Sequence, residues 1–437
     1  MSSESQTKSD HAKSDHGYIS RGSWIYISGL LLRLGARLPM LLIAGRAYGP
    51  ALYGEYIICI GVVETLAAAA TLGFKRTLFS FMQESNENEG SVGPAVRHAL
   101  FIGIASACVL SLLLTLSAPF VATLLGIESG AYKLATLAWI APVIVVTDLF
   151  LTATFFNRRL SYDIWSRCVA EPGAQVIVAG GLFALGAVTW GLTISYVAAL
   201  VAAAATAAWG YSKQFGLRGL FGRIDTRRMW AMSNVSSRTA LFDLFGILMS
   251  RLDMFVVGHF FSAGPVGLYA MAQQFITLPD KVGKSFVPVA MPVVSHAMTD
   301  GDLKRARAAL ASVAPRLAGL EGILVVSFIA GGSWLLELFG KGFGEAAMVL
   351  AILAIGTVVN DLLSLSSLPL VVARPSANPT ASVATLIFYV GAVAMIGNSR
   401  GIEGIALISV LSALAGNLYR LWVCRQVLYP ATATPPA

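Results

Sequence analysis

Charge is what this sequence has least of. Only 12% of its 437 residues are Asp, Glu, Lys or Arg, while 56% are hydrophobic. A soluble domain carries about 25% charged and about 45–50% apolar residues. So little charge cannot cover a water-soluble particle of this size, and mean hydropathy is +0.72. Lipid must be the solvent for much of the chain. Cysteine is scarce too. Cys59, Cys108, Cys168 and Cys424 show no CxxC or metal-type spacing, which excludes a disulfide framework and a zinc site of that kind. The five histidines (His11, His16, His98, His259, His296) form no HExxH. No complete P-loop is present: Gly283-Lys284-Ser285 ends like one, but Leu278 stands where its first glycine is required. These absences argue against ATP hydrolysis and against metal-dependent enzymes. The first twenty residues are polar and lack the basic start and short apolar run of a signal peptide, so they read as an uncleaved cytoplasmic tail.

What is there is a series of long apolar runs. A helix needs roughly 20 residues to cross about 30 Å of hydrocarbon. Twelve segments qualify: 22–45, 53–73, 96–125, 131–156, 164–187, 189–212, 236–260, 265–293, 311–338, 344–373, 377–398 and 401–425. The runs are continuous and not alternating, which favours helices over a barrel. Counting loops alternately places 21 Lys and Arg on one side and three (Arg46, Lys341, Arg400) on the other. Basic loops stay cytoplasmic, so both termini are expected inside. The net charge of +8 then follows from topology and attraction to anionic lipid, and nucleic acid is not an expected partner. The expected organisation is a polar tail (1–21), a six-helix bundle (22–212), a central cytoplasmic loop (213–235), a second six-helix bundle (236–425) and a short tail (426–437). The loop near 74–95 is also cytoplasmic.

The two sets of six spans begin alike. Leu42-Ile43-Ala44-Gly45-Arg46-Ala47-Tyr48-Gly49-Pro50-Ala51-Leu52-Tyr53-Gly54-Glu55-Tyr56 aligns with Phe255-Val256-Val257-Gly258-His259-Phe260-Phe261-Ser262-Ala263-Gly264-Pro265-Val266-Gly267-Leu268-Tyr269 at one constant offset. Gly45 then matches Gly258, Gly54 matches Gly267, and Tyr56 matches Tyr269. Each copy reads as a helix that leaves the membrane, turns through Gly and Pro, and re-enters, with its tyrosine at the membrane interface. Six is even, so the repeat is parallel, with a pseudo-two-fold axis along the membrane normal and a cavity expected between two rocking bundles.

Gly49 to Tyr56 resembles the first-span ending of the polysaccharide-exporter and oligosaccharide-flippase family of the MOP superfamily. So do Arg251 to Gly258 followed by Gly264 to Tyr269, the stretch Phe286 to Ser295, and the turn Leu338 to Ala347. The resemblance spans most of residues 20–425. It implies a bacterial inner-membrane flippase for an O-antigen or exopolysaccharide repeat unit, carried as an oligosaccharide on a polyprenyl diphosphate. The partners it admits are that lipid-linked oligosaccharide, membrane lipids, a polysaccharide polymerase and chain-length proteins. No bound cofactor is implied; a proton or sodium gradient is the expected driving force. Some members have fourteen spans, and a two-helix extension is not expected here.

Charged residues inside spans mark candidate sites, because each costs at least about 2.5–3.5 kcal/mol at mid-bilayer. Arg33 and Arg37 share one face of the first span at i,i+4 spacing, suited to gripping a diphosphate; pairing with neighbouring acids such as Glu64 is the alternative. Arg251 and Asp253 point about 160° apart, which favours Arg251 toward the cavity. Lys281 and Lys284 share a face at i,i+3 beside Asp280, either as a basic cavity wall or as a self-satisfied break in the helix. Glu64, Asp253 and Asp148 are candidates for ion coupling, and Glu171, Glu321 and Asp361 are further span acids; sequence does not choose among them. Two other functions compete. A small-molecule or multidrug antiporter would favour acidic cavity residues, and a polysaccharide polymerase or ligase would need a larger outer loop than any present.

Overall fold

The computed structural model describes residues 35–127, 130–157, 159–397 and 399–429. No strand occurs among them. A π-helical turn, Ala44–Tyr48, leads into α1 (Gly49–Ala70) and α2 (Phe74–Glu89). Then come α3 (Gly93–Leu124), α4 (Ala131–Ala138) and α5 (Ala141–Thr154). A short helix, Ser161–Ile164, and a π-helical stretch, Trp165–Ala170, precede α6 (Glu171–Ala184). After α7 (Val188–Phe215) run the long α8 (Thr226–Phe260), α9 (Ala263–Thr299) and α10 (Leu303–Glu337). The chain ends with α11 (Ala347–Ser364), α12 (Ser367–Ala373), α13 (Ala377–Ile396) and α14 (Gly401–Leu428).

Seven helical stretches among the described residues are long and apolar enough to cross a membrane, and the pair α4–α5, bent by 40°, makes an eighth. The first stretch, Gly35–Glu89, has 55 residues, which as one straight helix would be more than twice the hydrocarbon thickness. Left-handed backbone at Gly49 (φ 78°), Leu72 (φ 46°) and Gly73 (φ 77°) divides it. The expected segments 236–260 and 265–293 also lie on long helices, α8 and α9. They carry more charge than the other spans: Arg238, Asp243, Arg251, Asp253, Asp280, Lys281 and Lys284 fall on them. The outward faces are apolar, as lipid requires: Leu116 and Phe120 of α3 are 73% and 72% exposed. The chain is a multi-pass helical membrane protein.

Two segments expected as loops are largely helical. Residues 74–89 form α2, because Phe74, Leu78, Met82 and Ser85 recur at helical spacing and are buried on one face. The central stretch 213–235 becomes helical at Thr226, where the Asp225 carboxylate accepts backbone N–H bonds from Arg227 (2.9 Å) and Arg228 (3.3 Å).

The helices assort into two compact units. One comprises 35–47, Ile60–Ala118 and Tyr132–Leu248. Its core joins Phe74, Leu78 and Met82 of α2 to Val145, Leu149 and Phe150 of α5 and Tyr211 of α7, with the Phe150 and Tyr211 rings 4.8 Å apart. Gly73 lies where any Cβ would run into the Ser236 carbonyl and the Thr239 hydroxyl. Nearby, the Arg76 Nε donates to Asp243 at 2.6 Å and the Thr77 and Ser236 hydroxyls are 2.6 Å apart. These contacts clamp the start of α2 to α8.

The other unit comprises Tyr48–Cys59, Pro119–Ala131 and the residues from Met249 onward. Inside it the two copies of the sequence repeat meet. A Cβ on Gly54 would collide with the Ala263 carbonyl, and a Cβ on Gly267 would collide with the Pro50 carbonyl. Because Gly54 aligns with Gly267 and Pro50 with Ala263, the contact is reciprocal. Gly258 approaches the Leu125 carbonyl in the same way, and Gly126 the Gly258 carbonyl. The aligned tyrosines are packed against protein. Tyr56 is buried and Tyr269 completely so, because Tyr269 donates its hydroxyl to Asp253 at 2.9 Å.

Gly54→Val and Gly267→Val should each lower the stability of the solubilised protein by at least about 1–3 kcal/mol through overpacking. Gly264→Ala, where a Cβ meets nothing within 4 Å, should be neutral in the same thermal-unfolding assay.

Candidate functional site

Some of the charged side chains inside the spans are acids matched by partners, and others are accessible cations. In the first unit Asp148 of α5 is 5% exposed and receives two cations. Lys75 Nζ lies 2.5 Å from its Oδ2, and the Arg167 guanidinium donates to its Oδ1. Arg167 also reaches Asp163, one turn earlier, at 3.3 Å. The π-helical stretch that carries Arg167 helps aim it inward, and the result is a Lys–Asp–Arg–Asp chain linking the start of α2, α5 and the entry to α6. Glu64 of α1 is partly buried and accepts from the Tyr196 hydroxyl at 3.4 Å. Arg33 lies outside the described residues. Arg37 is exposed.

In the second unit Asp253 accepts from the hydroxyls of Tyr269 and Ser409, each at 2.9 Å, which ties α8 to α9 and α14. Arg251, two residues earlier, is partly buried. Lys281 and Lys284 of α9 are both exposed, and Lys284 pairs with Asp280 at 2.7 Å, one turn back. That exposed i,i+4 pair leaves the lysine head 66% accessible and contributes only a few tenths of a kcal/mol, roughly.

Two features escaped sequence reasoning. The first is a polar network around Arg420 of α14. Its guanidinium donates to Asn417 Oδ1 at 2.7 Å and Ser382 Oγ at 3.0 Å. The Asn417 amide in turn donates to Asn360, at 3.2 Å to both its backbone carbonyl and its side chain. The available signal was spacing: Asn417 and Arg420 lie three residues apart in the last span, with Ser382 and Asn360 in the two before it. The second is the setting of Glu321, Asp361 and Gly283. Glu321 of α10 is completely buried, and a Cβ on Gly283 would lie 2.6 Å from its Oε1 and 2.5 Å from Asp361 Oδ2. The glycine was read only as part of a failed P-loop.

His98 is structural. Its Nδ1 lies 2.6 Å from the Pro94 carbonyl, and its Nε2 accepts the Asp225 N–H at 3.0 Å; a neutral ring satisfies both. No group of three or more His, Cys, Asp or Glu arranged to hold a metal ion occurs among the described residues.

A family model described as polysaccharide biosynthesis protein matches residues 43–321. The succinoglycan biosynthesis transport protein ExoT of Rhizobium meliloti (strain 1021) is 24% identical over 318 residues, which cover 72% of this chain and 61% of ExoT. The chain thus matches about three-fifths of that relative's length. Among solved structures, an inward-facing multidrug resistance MATE transporter of the MOP superfamily superimposes with a TM-score of 0.71 at 14% identity, covering 92% of this chain and 99% of the other. The lipid II flippase MurJ in an inward closed conformation gives 0.71 at 14% identity, covering 91% and 87%. A Pyrococcus furiosus MOP transporter described as having a binding pocket of reversed polarity gives 0.60 at 14% identity, covering 92% and 93%. The fold is that of MOP transporters.

Asp148→Asn should destabilise the solubilised protein by about 1–3 kcal/mol, because Lys75 and Arg167 then lose the anion they converge on, a penalty moderated by their partial exposure. Asp163→Asn should cost under about 1 kcal/mol. Differential scanning fluorimetry of the two variants checks the order.

Proposed function

The chain belongs to the polysaccharide biosynthesis protein family, and from that premise we propose that it is a flippase that carries a polyprenyl-diphosphate-linked oligosaccharide across the bacterial inner membrane, with both termini in the cytoplasm. The observation that carries this reading is the sign of the accessible charge. Away from the ends of the spans, the exposed charged side chains Arg37, Lys281 and Lys284 are all cationic, whereas Asp148, Asp253 and Glu321 are withdrawn from the surface. Cationic side chains suit a diphosphate, which guanidinium groups bind through paired N–H donors and ammonium groups as point charges. A cationic drug would need the reverse.

In this reading Arg37, with Arg33 four positions before it in the sequence, binds the diphosphate; Arg251, Lys281 and Lys284 are separate cationic candidates on the second unit. The lipid tail stays in the bilayer, so the protein need shelter only the head group and sugars. The relatives support the assignment: ExoT is a transport protein of succinoglycan biosynthesis and MurJ a lipid II flippase. A transporter of this kind performs no bond chemistry, and a proton or sodium gradient supplies the work. A polymerase and chain-length proteins are the expected consumers of its product on the far side.

The test is reconstitution. In liposomes containing a fluorescent polyprenyl-diphosphate oligosaccharide, the wild-type protein should make the label accessible to an impermeant quencher. Arg37→Ala should slow this at least about tenfold, the loss expected for one charge-assisted phosphate contact of about 1.5–3 kcal/mol. An Arg37→Ala rate equal to wild type would remove that residue from the site. Inactive wild-type protein under imposed gradients, but active with organic cations, would favour the antiporter.

A further inference from the structure

Every span acid expected to couple an ion has partners of its own: Asp148 has two cations, Asp253 two hydroxyls and Glu64 a tyrosine. Glu321 of α10 is different. Glu321 has no accessible surface, and neither of its carboxylate oxygens has a hydrogen-bond donor among the described residues. Asp361 Oδ2 is likewise without a donor. The two carboxylates come from α10 and α11 and converge on the bare backbone of Gly283 in α9, where a single methyl group would strike both. These three helices pack against one another within the second unit.

Two ionised carboxylates in this position would place two negative charges side by side, away from water and without donors. That arrangement is prohibitive in a low-dielectric setting. Like charges sharing a site cannot both ionise, and the economical solution is one proton held between them. We propose that Glu321 and Asp361 form a proton-binding pair, with one exchangeable proton shared between the two carboxyl groups across Gly283.

The surroundings make the proton exchangeable. Asp361 is partly exposed while Glu321 is completely buried, so the pair is reachable from the Asp361 side. The charged groups packed nearby are already engaged: Asp280 and Lys284 of α9 pair with each other, and Arg420 of α14 donates to Asn417 and Ser382. Lys284 is near enough to act on Asp361 electrostatically, but among the described residues its ion pair is with Asp280. When the proton leaves to water, the second carboxyl becomes an anion beside the first, and the junction of α9, α10 and α11 loses its reason to stay closed. Loading and release of the proton therefore favour two different packings of these helices. Its use to drive transport rests on the flippase reading; its existence does not.

Two arms test the proposal separately. The first uses purified full-length protein without cargo. Infrared difference spectra between about pH 5 and about pH 9 should show a protonated-carboxyl C=O band that is lost at high pH and shifts in D2O. Glu321→Gln and Asp361→Asn should each remove that band; these are near-isosteric changes, and either variant that remains monodisperse suffices. A band unchanged in the variants would overturn the proposal. So would a band lost on adding sodium at constant low pH, which would identify an alkali-ion site. In the second arm, a pH gradient should accelerate translocation of the fluorescent lipid-linked oligosaccharide by wild-type protein, and that acceleration should be lost in Glu321→Gln. If the band titrates as expected but the wild-type protein moves no cargo, the flippase reading fails and the proton site stands.

Discussion

The second unit depends on backbone meeting backbone where the two repeat turns touch. Gly54 lies against the Ala263 carbonyl and Gly267 against the Pro50 carbonyl, and neither site has room for a Cβ. Such proximity adds Cα–H···O contacts, each modest, and dispersion over a well-packed surface. Hydrophobic burial cannot drive this association in lipid as it does in water, so small residues that let helices approach closely become the main source of adhesion. Around this contact sit the completely buried Tyr53 and Tyr269. Tyr269 converts the packing into a hydrogen bond on Asp253, which Ser409 extends to α14.

The same economy governs charge. A carboxylate within the bilayer is tolerated when its partners are fixed, and Asp148 illustrates the complete solution: two cations delivered from opposite sides, one by the first turn of α2 and the other by a π-helical stretch. Lys75 and Arg167 look like ordinary topogenic cations in the sequence. In the folded protein they also neutralise an intramembrane acid. Among the exposed cations in other spans, Lys284 has only a weak, exposed pairing with Asp280. The cost of such cations is then best explained by an anionic cargo that meets them.

Much of the fold was legible because lipid imposes strong rules. Long apolar runs, the asymmetry of basic loops and the glycine–proline turns located the helices and exposed the repeat, and Gly54 and Gly267, paired by alignment, are in contact in space. Other features were not legible, for identifiable reasons. The amphipathic face of α2 was hidden because its solvent side is polar enough to read as loop. Tyr56 and Tyr269 were assigned to the interface because tyrosine commonly sits there, whereas Asp253, 16 positions earlier in the chain, claims the Tyr269 hydroxyl. Asp148 and Asp253 stood out as coupling candidates because sequence shows an acid in a span but not its partners. Glu321 and Asp361 did not stand out, because what distinguishes them is a missing donor and a missing side chain at Gly283.

The composition of the second unit has a consequence for biosynthesis. Its residues Tyr48–Cys59 and Pro119–Ala131 emerge early, but the surfaces they pack on begin at Met249. Gly54 must wait for Gly267, 213 positions later in the chain. At about 5–20 residues per second, that interval is roughly 10–40 s. During that time small-residue helix faces stand open in the bilayer, able to adhere to any other helix that offers the same shape. The insertion machinery, or lipid held against those faces, must keep them unoccupied until their counterparts arrive.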